Sequence, residues 1–366
     1  MLFLLLTCPL VSYLTYKTTD WEQVALCNNY SALGLKVDCI WNSKRNYVSP
    51  PVQDVRRLTY DFAFYSRLLW SPDGRYLAAE RCHAVEVWGL FEYFGATGCD
   101  ARLNGDTVII DVKTGRIDSI DFGSITSSSI RSRPEFWSAE GKRLLIQIEK
   151  NLSSPNPGKG GRNVDEYLIF NLEDKSLQRV ESEFVPIAWL SSEESLLIID
   201  ADFSSLGTKK ESKWFIGRTS LTTSITKTEY TFILNRFSSY RALSPNRQTL
   251  LLGDTDDHRG CDGVVYSYAL GSSEKLTRLP IDACYPVWSP NGKKVAYVLA
   301  AGWTQGIMIA NNDGSNSQSL FGIDPRDLLP TSSLSWSPDG KQLAFTYGSN
   351  DNVIYVVDLP DHLQEH

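Results

Sequence analysis

Histidine and methionine are scarce in this chain of 366 residues, which holds four His and two Met. So few imidazoles make a multi-histidine metal site or a histidine relay hard to assemble. Basic residues are also outnumbered, 36 Lys and Arg against 43 Asp and Glu, for a net charge of −7. With no basic excess to displace phosphate counterions, nucleic-acid binding is not expected. No Gly-x-Ser-x-Gly elbow occurs, and the glycine-rich stretch Ser153–Gly161 lacks the Lys-Ser/Thr ending of a phosphate loop. Long helical periodicity is missing as well. No catalytic residue, metal or cofactor is therefore assigned. Aromatic side chains, by contrast, are plentiful: 10 Trp, 17 Tyr and 15 Phe. Such rings pack well on pleated β-surfaces. At 42% hydrophobic and 22% charged, the chain can bury a core and remain soluble.

One phrase recurs six times. It begins at Trp70, Trp137, Trp189, Leu243, Trp288 and Trp336, at intervals of 67, 52, 54, 45 and 48 residues. Four copies continue Ser-Pro, at Ser71-Pro72, Ser244-Pro245, Ser289-Pro290 and Ser337-Pro338, and three of those go on to Asp/Asn-Gly. Each position has a physical reason. Proline presets the backbone of a turn, Asp or Asn tolerates the next conformation, and Gly ends the turn without steric cost. The apolar triplets that follow, such as Leu77-Ala78-Ala79 and Leu343-Ala344-Phe345, read as buried strands. A second apolar run follows each copy: Val108–Ile110, Tyr167–Phe170, Trp214–Ile216, Val264–Tyr266, Ile307–Ile309 and Val353–Val356. The leading Trp is expected to pack between neighbouring sheets.

Repeats of this period, each carrying about four strands, predict an all-β, six-bladed β-propeller of four-stranded antiparallel blades. The Trp-Ser-Pro-Asp-Gly phrase followed by Leu-Ala-Phe resembles the WD-repeat-like blades of TolB-type propellers. Related blades occur in the non-catalytic domains of prolyl-oligopeptidase-like enzymes. The resemblance covers residues 52–360 and weakens in the third and fourth copies, where the turn phrase is degraded. After Trp336 only three strands fit. The missing outer strand is available as Val55-Arg56-Arg57-Leu58-Thr59, so residues 55–59 are expected to pair with 353–358 and close the ring.

Seven cysteines are present. With Cys8 set aside, the rest fall into three neighbouring pairs, Cys27–Cys39, Cys82–Cys99 and Cys261–Cys284, the arithmetic of three disulfides. The alternative is seven free thiols in a reducing compartment. Residues 1–16 form an apolar run ended by Lys17, short of the roughly twenty residues a spanning helix needs. That run suits an export signal or a membrane or lipid anchor, and Leu5-Leu6-Thr7-Cys8 resembles a lipoprotein signal with Cys8 as the lipidated residue. Residues 17–51 then form an extension stapled by Cys27–Cys39, residues 52–360 the propeller, and residues 361–366 a frayed tail.

In a propeller the connections between second and third strands emerge on one face. The longest here, about residues 81–106, holds Trp88, Phe91, Tyr93 and Phe94 between Cys82 and Cys99. These aromatics are either a recognition surface for protein or carbohydrate, or a minicore packing the insert on its own blade. Asp256, Asp257 and His258 form an acidic stretch in the fourth connection, read as solvated acids because the residue order does not fit a helix–loop–helix calcium site. The resemblance implies an exported, monomeric, non-catalytic binding protein of the bacterial periplasm, envelope or exterior, with a protein partner on the long-loop face. The other readings are a propeller-class hydrolase or lyase acting on peptide or carbohydrate, which would need His83 or His258, and the separate propeller half of a prolyl-oligopeptidase-like peptidase.

Overall fold

The computed structural model describes residues 55–364, apart from 62, 84–104, 124–129, 153–161, 181–184, 190–194, 203–211, 221–225, 235–240, 255–263, 271–276, 302–303, 324–332 and 348–352. Strand β1 (Val55–Arg57) precedes a first sheet of β2 (Ala63–Trp70), β3 (Tyr76–His83), β4 (Gly105–Asp111) and β5 (Ile117–Ser119). The second sheet holds β6 (Ile130–Trp137), β7 (Arg143–Leu152), β8 (Arg162–Asn171) and β9 (Leu177–Val180). The third holds β10 (Val185–Trp189), β11 (Ser195–Asp202), β12 (Ser212–Ser220) and β13 (Thr226–Leu234). The fourth is β14 (Arg241–Leu243), β15 (Thr249–Asp254), β16 (Val264–Ala269) and β17 (Thr277–Asp282). The fifth is β18 (Cys284–Trp288), β19 (Lys294–Ala301), β20 (Thr304–Asn311) and β21 (Gln318–Ile323). The last, β22 (Leu334–Trp336), β23 (Gln342–Tyr347) and β24 (Val353–Asp358), takes β1 as its fourth strand.

Every sheet is antiparallel, with its strands in chain order except where β1 joins β24, so the molecule is an all-β propeller of four-stranded blades. The second apolar run of every repeat falls in the third strand of its blade. First strands lie side by side: β2 by β6, β6 by β10, β10 by β14, β14 by β18, β18 by β22, and β22 by β2.

The repeated phrase builds the first turn of each blade. Ser71 accepts a bond from the backbone N–H of Tyr76 (2.8 Å) and donates to Asp73 (2.5 Å), whose carboxylate also caps the N–H of Arg75 (3.0 Å). The same lattice recurs with Ser244 and Asn246, and with Ser337 and Asp339. These serines are buried. The sequence reading gave roles to proline, the acid and glycine but none to serine, and the serine turns out to be the pin. Gly74, Gly292 and Gly340 sit at φ of +75°, +71° and +69°, a region that glycine enters without a Cβ clash. Arg247 holds the equivalent place in the fourth copy at φ +59°.

Tryptophans fill the wedge between blades, as expected. Trp137 packs with Ala78 and Ile109 of the first blade, and its ring N–H donates to the Leu69 carbonyl at 3.0 Å. Trp288 does the same to Ala242 at 2.9 Å. Trp70 packs with Ala344, Ile354 and Val356, so the apolar core is also continuous between the last blade and the first.

Strand β1 is shorter than the expected residues 55–59. Its register pairs Val55 with Val357 and Arg57 with Tyr355. Leu58 and Thr59 extend the junction outside the strand: the Leu58 N–H donates to the Ile354 carbonyl (2.8 Å), and Thr59 Oγ1 accepts from the Ile354 N–H (3.1 Å).

The tail expectation is corrected. Leu363 is buried in the core between the fifth and last blades, and the Lys294 ammonium donates to the Leu363 carbonyl at 2.9 Å. An apolar side chain that far along the chain found a seat on a neighbouring blade, which local polarity could not reveal. Of the described residues, no helix is long and apolar enough to cross a membrane.

Candidate functional site

All six first strands contribute to one channel-like cavity of about 610 Å³. Its wall is irregular. Register shifts fall at Ser66/Leu69 in β2, Pro134/Phe136 in β6, Pro186/Ala188 in β10 and Cys284/Val287 in β18. Arg67 and Tyr285, each three residues before its blade's Trp, adopt left-handed φ of +51° and +53° and line the cavity. Such conformations cost about 1–3 kcal/mol and concentrate at functional sites. Pro134, Pro186 and Pro286 also line it. Because proline brings no N–H, these residues blunt the strand edges turned to the channel.

The cavity carries a compact ion network where the first blade meets the second. Glu80, 1% exposed, accepts a bond from Ser66 Oγ (2.7 Å) and from the Nε of Arg131. Arg133 Nε lies 3.5 Å from the same carboxylate, and its NH2 group donates to Glu149 (2.9 Å). Arg67 pairs with Glu135 at 2.9 Å. Burial pulls the Arg133 guanidinium below the ordinary arginine range; Glu80 opposes this, while the charges of Arg131 and Arg67 add to it. A carboxylate this deep is tolerable only when paired and hydrogen-bonded, and Glu80 is both.

Local structure explains the approach. Gly105 on β4 stands where a Cβ would come within 3.0 Å of Glu80 Oε1 and 3.1 Å of Arg131 Cγ, so its bare backbone leaves the passage for Arg131. Ser132 on β6 accepts a bond from the Thr107 N–H of β4 (2.7 Å), fixing the two blades in register beside the network. Nearby, Tyr65 donates to Asp61, which also pairs with Arg81 at 2.6 Å. Burial first, and the Asp61 charge second, push the Tyr65 hydroxyl far above its usual 10, so it stays a neutral donor.

The sequence-predicted site residues fall largely elsewhere. Trp88, Phe91, Tyr93, Phe94, Cys99, Asp256, Asp257, His258, Cys261, Cys27, Cys39 and Cys8 lie outside the described residues. Their anchors are visible. Cys82 pairs with Gly105 across β3 and β4, at the strand ends that the 84–104 segment joins, and Cys284 begins β18. Arg131, next to the first residue of β6, lies toward that same end of its blade. Sequence reasoning missed Glu80, Arg131 and Arg133. Their signal was a carboxylate directly after three apolar strand residues, and two alternating arginines in a first strand. No group of three or more His, Cys, Asp or Glu poised for a metal occurs among the described residues.

Fold and site together define a four-stranded-blade propeller with a charged channel wall. No family model matches the chain. It is similar to the Tol-Pal system protein TolB of Bordetella pertussis, 34% identical over 113 residues covering 29% of this chain and 24% of that protein. TolB of Chromobacterium violaceum is 37% identical over 67 residues, 18% of this chain and 15% of the relative. The chain thus matches about a quarter or less of these curated relatives' length. An oligogalacturonate lyase structure from Vibrio parahaemolyticus superposes with TM-score 0.51 at 12% identity, over 87% of this chain and 96% of that one, a likeness of fold alone.

Proposed function

We propose that the protein is an exported, TolB-like propeller that binds a protein partner without catalysing a reaction. Its six blades, spanning residues 52–360, form a closed ring latched by β1. The observation that carries this reading is the 34% identity over 113 residues to proteins described as Tol-Pal system components. That description supports a protein partner and a bacterial envelope location. The partner surface is the face bearing the 84–104 segment, with Trp88, Phe91, Tyr93 and Phe94 as its anchors and Asp256, Asp257 and His258 beside them. Rigid scaffolds commonly present function on loops in this way.

Disulfides Cys82–Cys99 and Cys261–Cys284 clip that face, and Cys27–Cys39 staples the extension. In support, Cys82 and Cys284 are both buried. A bridge closing a loop the size of 82–99 contributes about 3 kcal/mol in the chain-entropy picture. Residues 1–16 direct export or anchor the chain, with Cys8 as the lipidated residue in the second case.

The deciding experiment is affinity capture from envelope extract with the full chain, the same chain lacking residues 84–98, and the His83→Ala and His258→Ala variants. The proposal expects one protein to be retained by the full chain and both histidine variants and lost on the loop deletion. Capture that survives the deletion, or fails in a histidine variant that folds normally, sinks it. Intact mass before and after reduction and alkylation checks the disulfides, the processing of the first residues and any lipid on Cys8.

A further inference from the structure

We infer that Arg131 and Arg133 form a carboxylate-binding site in the channel wall. The inference stands on the described residues and does not depend on the partner reading above.

Three observations carry it. The charged residues lining the cavity are three arginines, Arg67, Arg131 and Arg133, against two glutamates, Glu80 and Glu135. This wall leans positive in a chain whose net charge is −7. Glu149, which compensates Arg133, is not part of the lining. Second, the donors are underused. A guanidinium carries five N–H groups. Arg131 spends one, at Nε on Glu80, and among the described residues its terminal amino groups meet no acceptor. Arg133 Nε, buried 3.5 Å from Glu80, makes an ion pair there but no hydrogen bond among the described residues. Third, the site is built. Glu80, almost fully buried, orients Arg131 and is held in turn by Ser66, while Gly105 clears the passage. An anion in the cavity would also offset the charges of Arg131 and Arg67, which add to burial in lowering the Arg133 pKa.

The missing partner is an anion with two acceptor oxygens in a plane. A carboxylate fits the planar guanidinium fork bidentately, which a lysine cannot reproduce. The cavity, about 610 Å³, is within the ordinary range of roughly 300–1,000 Å³ for small-ligand pockets. It therefore admits a free small carboxylate or an acidic side chain on an extended segment, and excludes a folded domain.

The test uses the full chain and calorimetric titration at constant ionic strength. One probe is succinate; the other is the capped peptide Gly-Glu-Glu-Gly, with capped Gly-Gln-Gln-Gly as its neutral control. The variants are Arg131→Lys, which keeps the charge that Glu80 needs, and Arg116→Gln on an exposed turn pair as an unrelated control. Saturable binding of succinate or the glutamate peptide, weakened about tenfold or more by Arg131→Lys and unchanged by Arg116→Gln, supports the site. Succinate alone points to a free carboxylate, and the peptide alone to an acidic segment. No saturable binding of either probe, equal binding of the glutamine peptide, or full affinity in a normally folded Arg131→Lys overturns it. Partner capture through the 84–98 loop is scored separately, so either idea can fall without the other.

Discussion

If the ring is held shut where its two ends meet, Leu58 should be one of its most sensitive residues. It is 2% exposed, packs with Leu77, Val112, Ile354 and Val356, and donates its N–H to Ile354 just outside β1. Leu58→Ala keeps the backbone bond and removes only the side chain between the last blade and the first. Truncation of a fully buried leucine costs about 2–5 kcal/mol, the upper end applying where the surroundings cannot collapse. Strands on both sides restrain this site, so about 3 kcal/mol is expected. Unfolding entropy of about 2.1 cal/mol/K per residue, over roughly 300 folded residues, gives about 0.6 kcal/mol/K. The melting temperature should therefore fall by about 5 °C, read by circular dichroism or calorimetry. Deleting residues 52–60, which also removes the β1 pairing, should lower it further. A Leu58→Ala shift below about 1 °C, or an unchanged melting temperature after the deletion, would refute the latch.

Arg247→Gly should raise stability by about 0.5–1 kcal/mol, because relief of a left-handed side chain outweighs the added freedom of the unfolded chain; chemical denaturation checks this, and a loss of stability would contradict it. Ser71→Ala, which removes the part-buried acceptor of the Tyr76 N–H, should cost about 1 kcal/mol in the same assay. Thr114, through its backbone N–H and then its hydroxyl, holds Asp111 below the ordinary carboxylate value of 3.8. At Asp339 burial pushes upward, but the bonds from Ser337 and Lys341 prevail and the net direction is also down. A carboxylate depressed on folding contributes stability that is complete above its unfolded pKa and is lost as pH falls through the folded one. Melting temperature should thus hold above about pH 4 and drop below it. The double variant Asp111→Asn, Asp339→Asn should flatten that acid limb; an unchanged limb would rule these two acids out.

The blades were readable because their information is local and repeated. Trp-Ser-Pro-Asp-Gly fixes a turn within five residues, and its six copies mark where the first strand of each blade ends. The outer strand at Val55 followed from counting what the last repeat lacked. Features built between distant segments stayed hidden. Arg131 meets Glu80 from 51 positions away, and nothing near either residue announces the other. Lys294 and Leu363 are 69 apart, so residues that looked like loose tail proved to be packed. Serine in the turn was visible but too common a residue to signal its role. The aromatic quartet of residues 88–94 drew attention by composition, whereas the ion network was disguised as two ordinary strand segments.

The union of β1 with β24 also sets an order of events. Val55 pairs with Val357, so the second partner leaves the ribosome some three hundred residues after the first. Each internal blade can close on its own hairpins as it is made, but the final one must wait until β24 has been made. Until then β2 offers an uncovered apolar flank, and β1 an unpaired edge of the kind that invites association between chains. Joining ends so far apart adds only logarithmically to the entropy cost, yet contacts of such long range slow folding markedly. A chain of this design can fill in its blades one by one, yet it completes the last of them only when residues some three hundred positions apart have met.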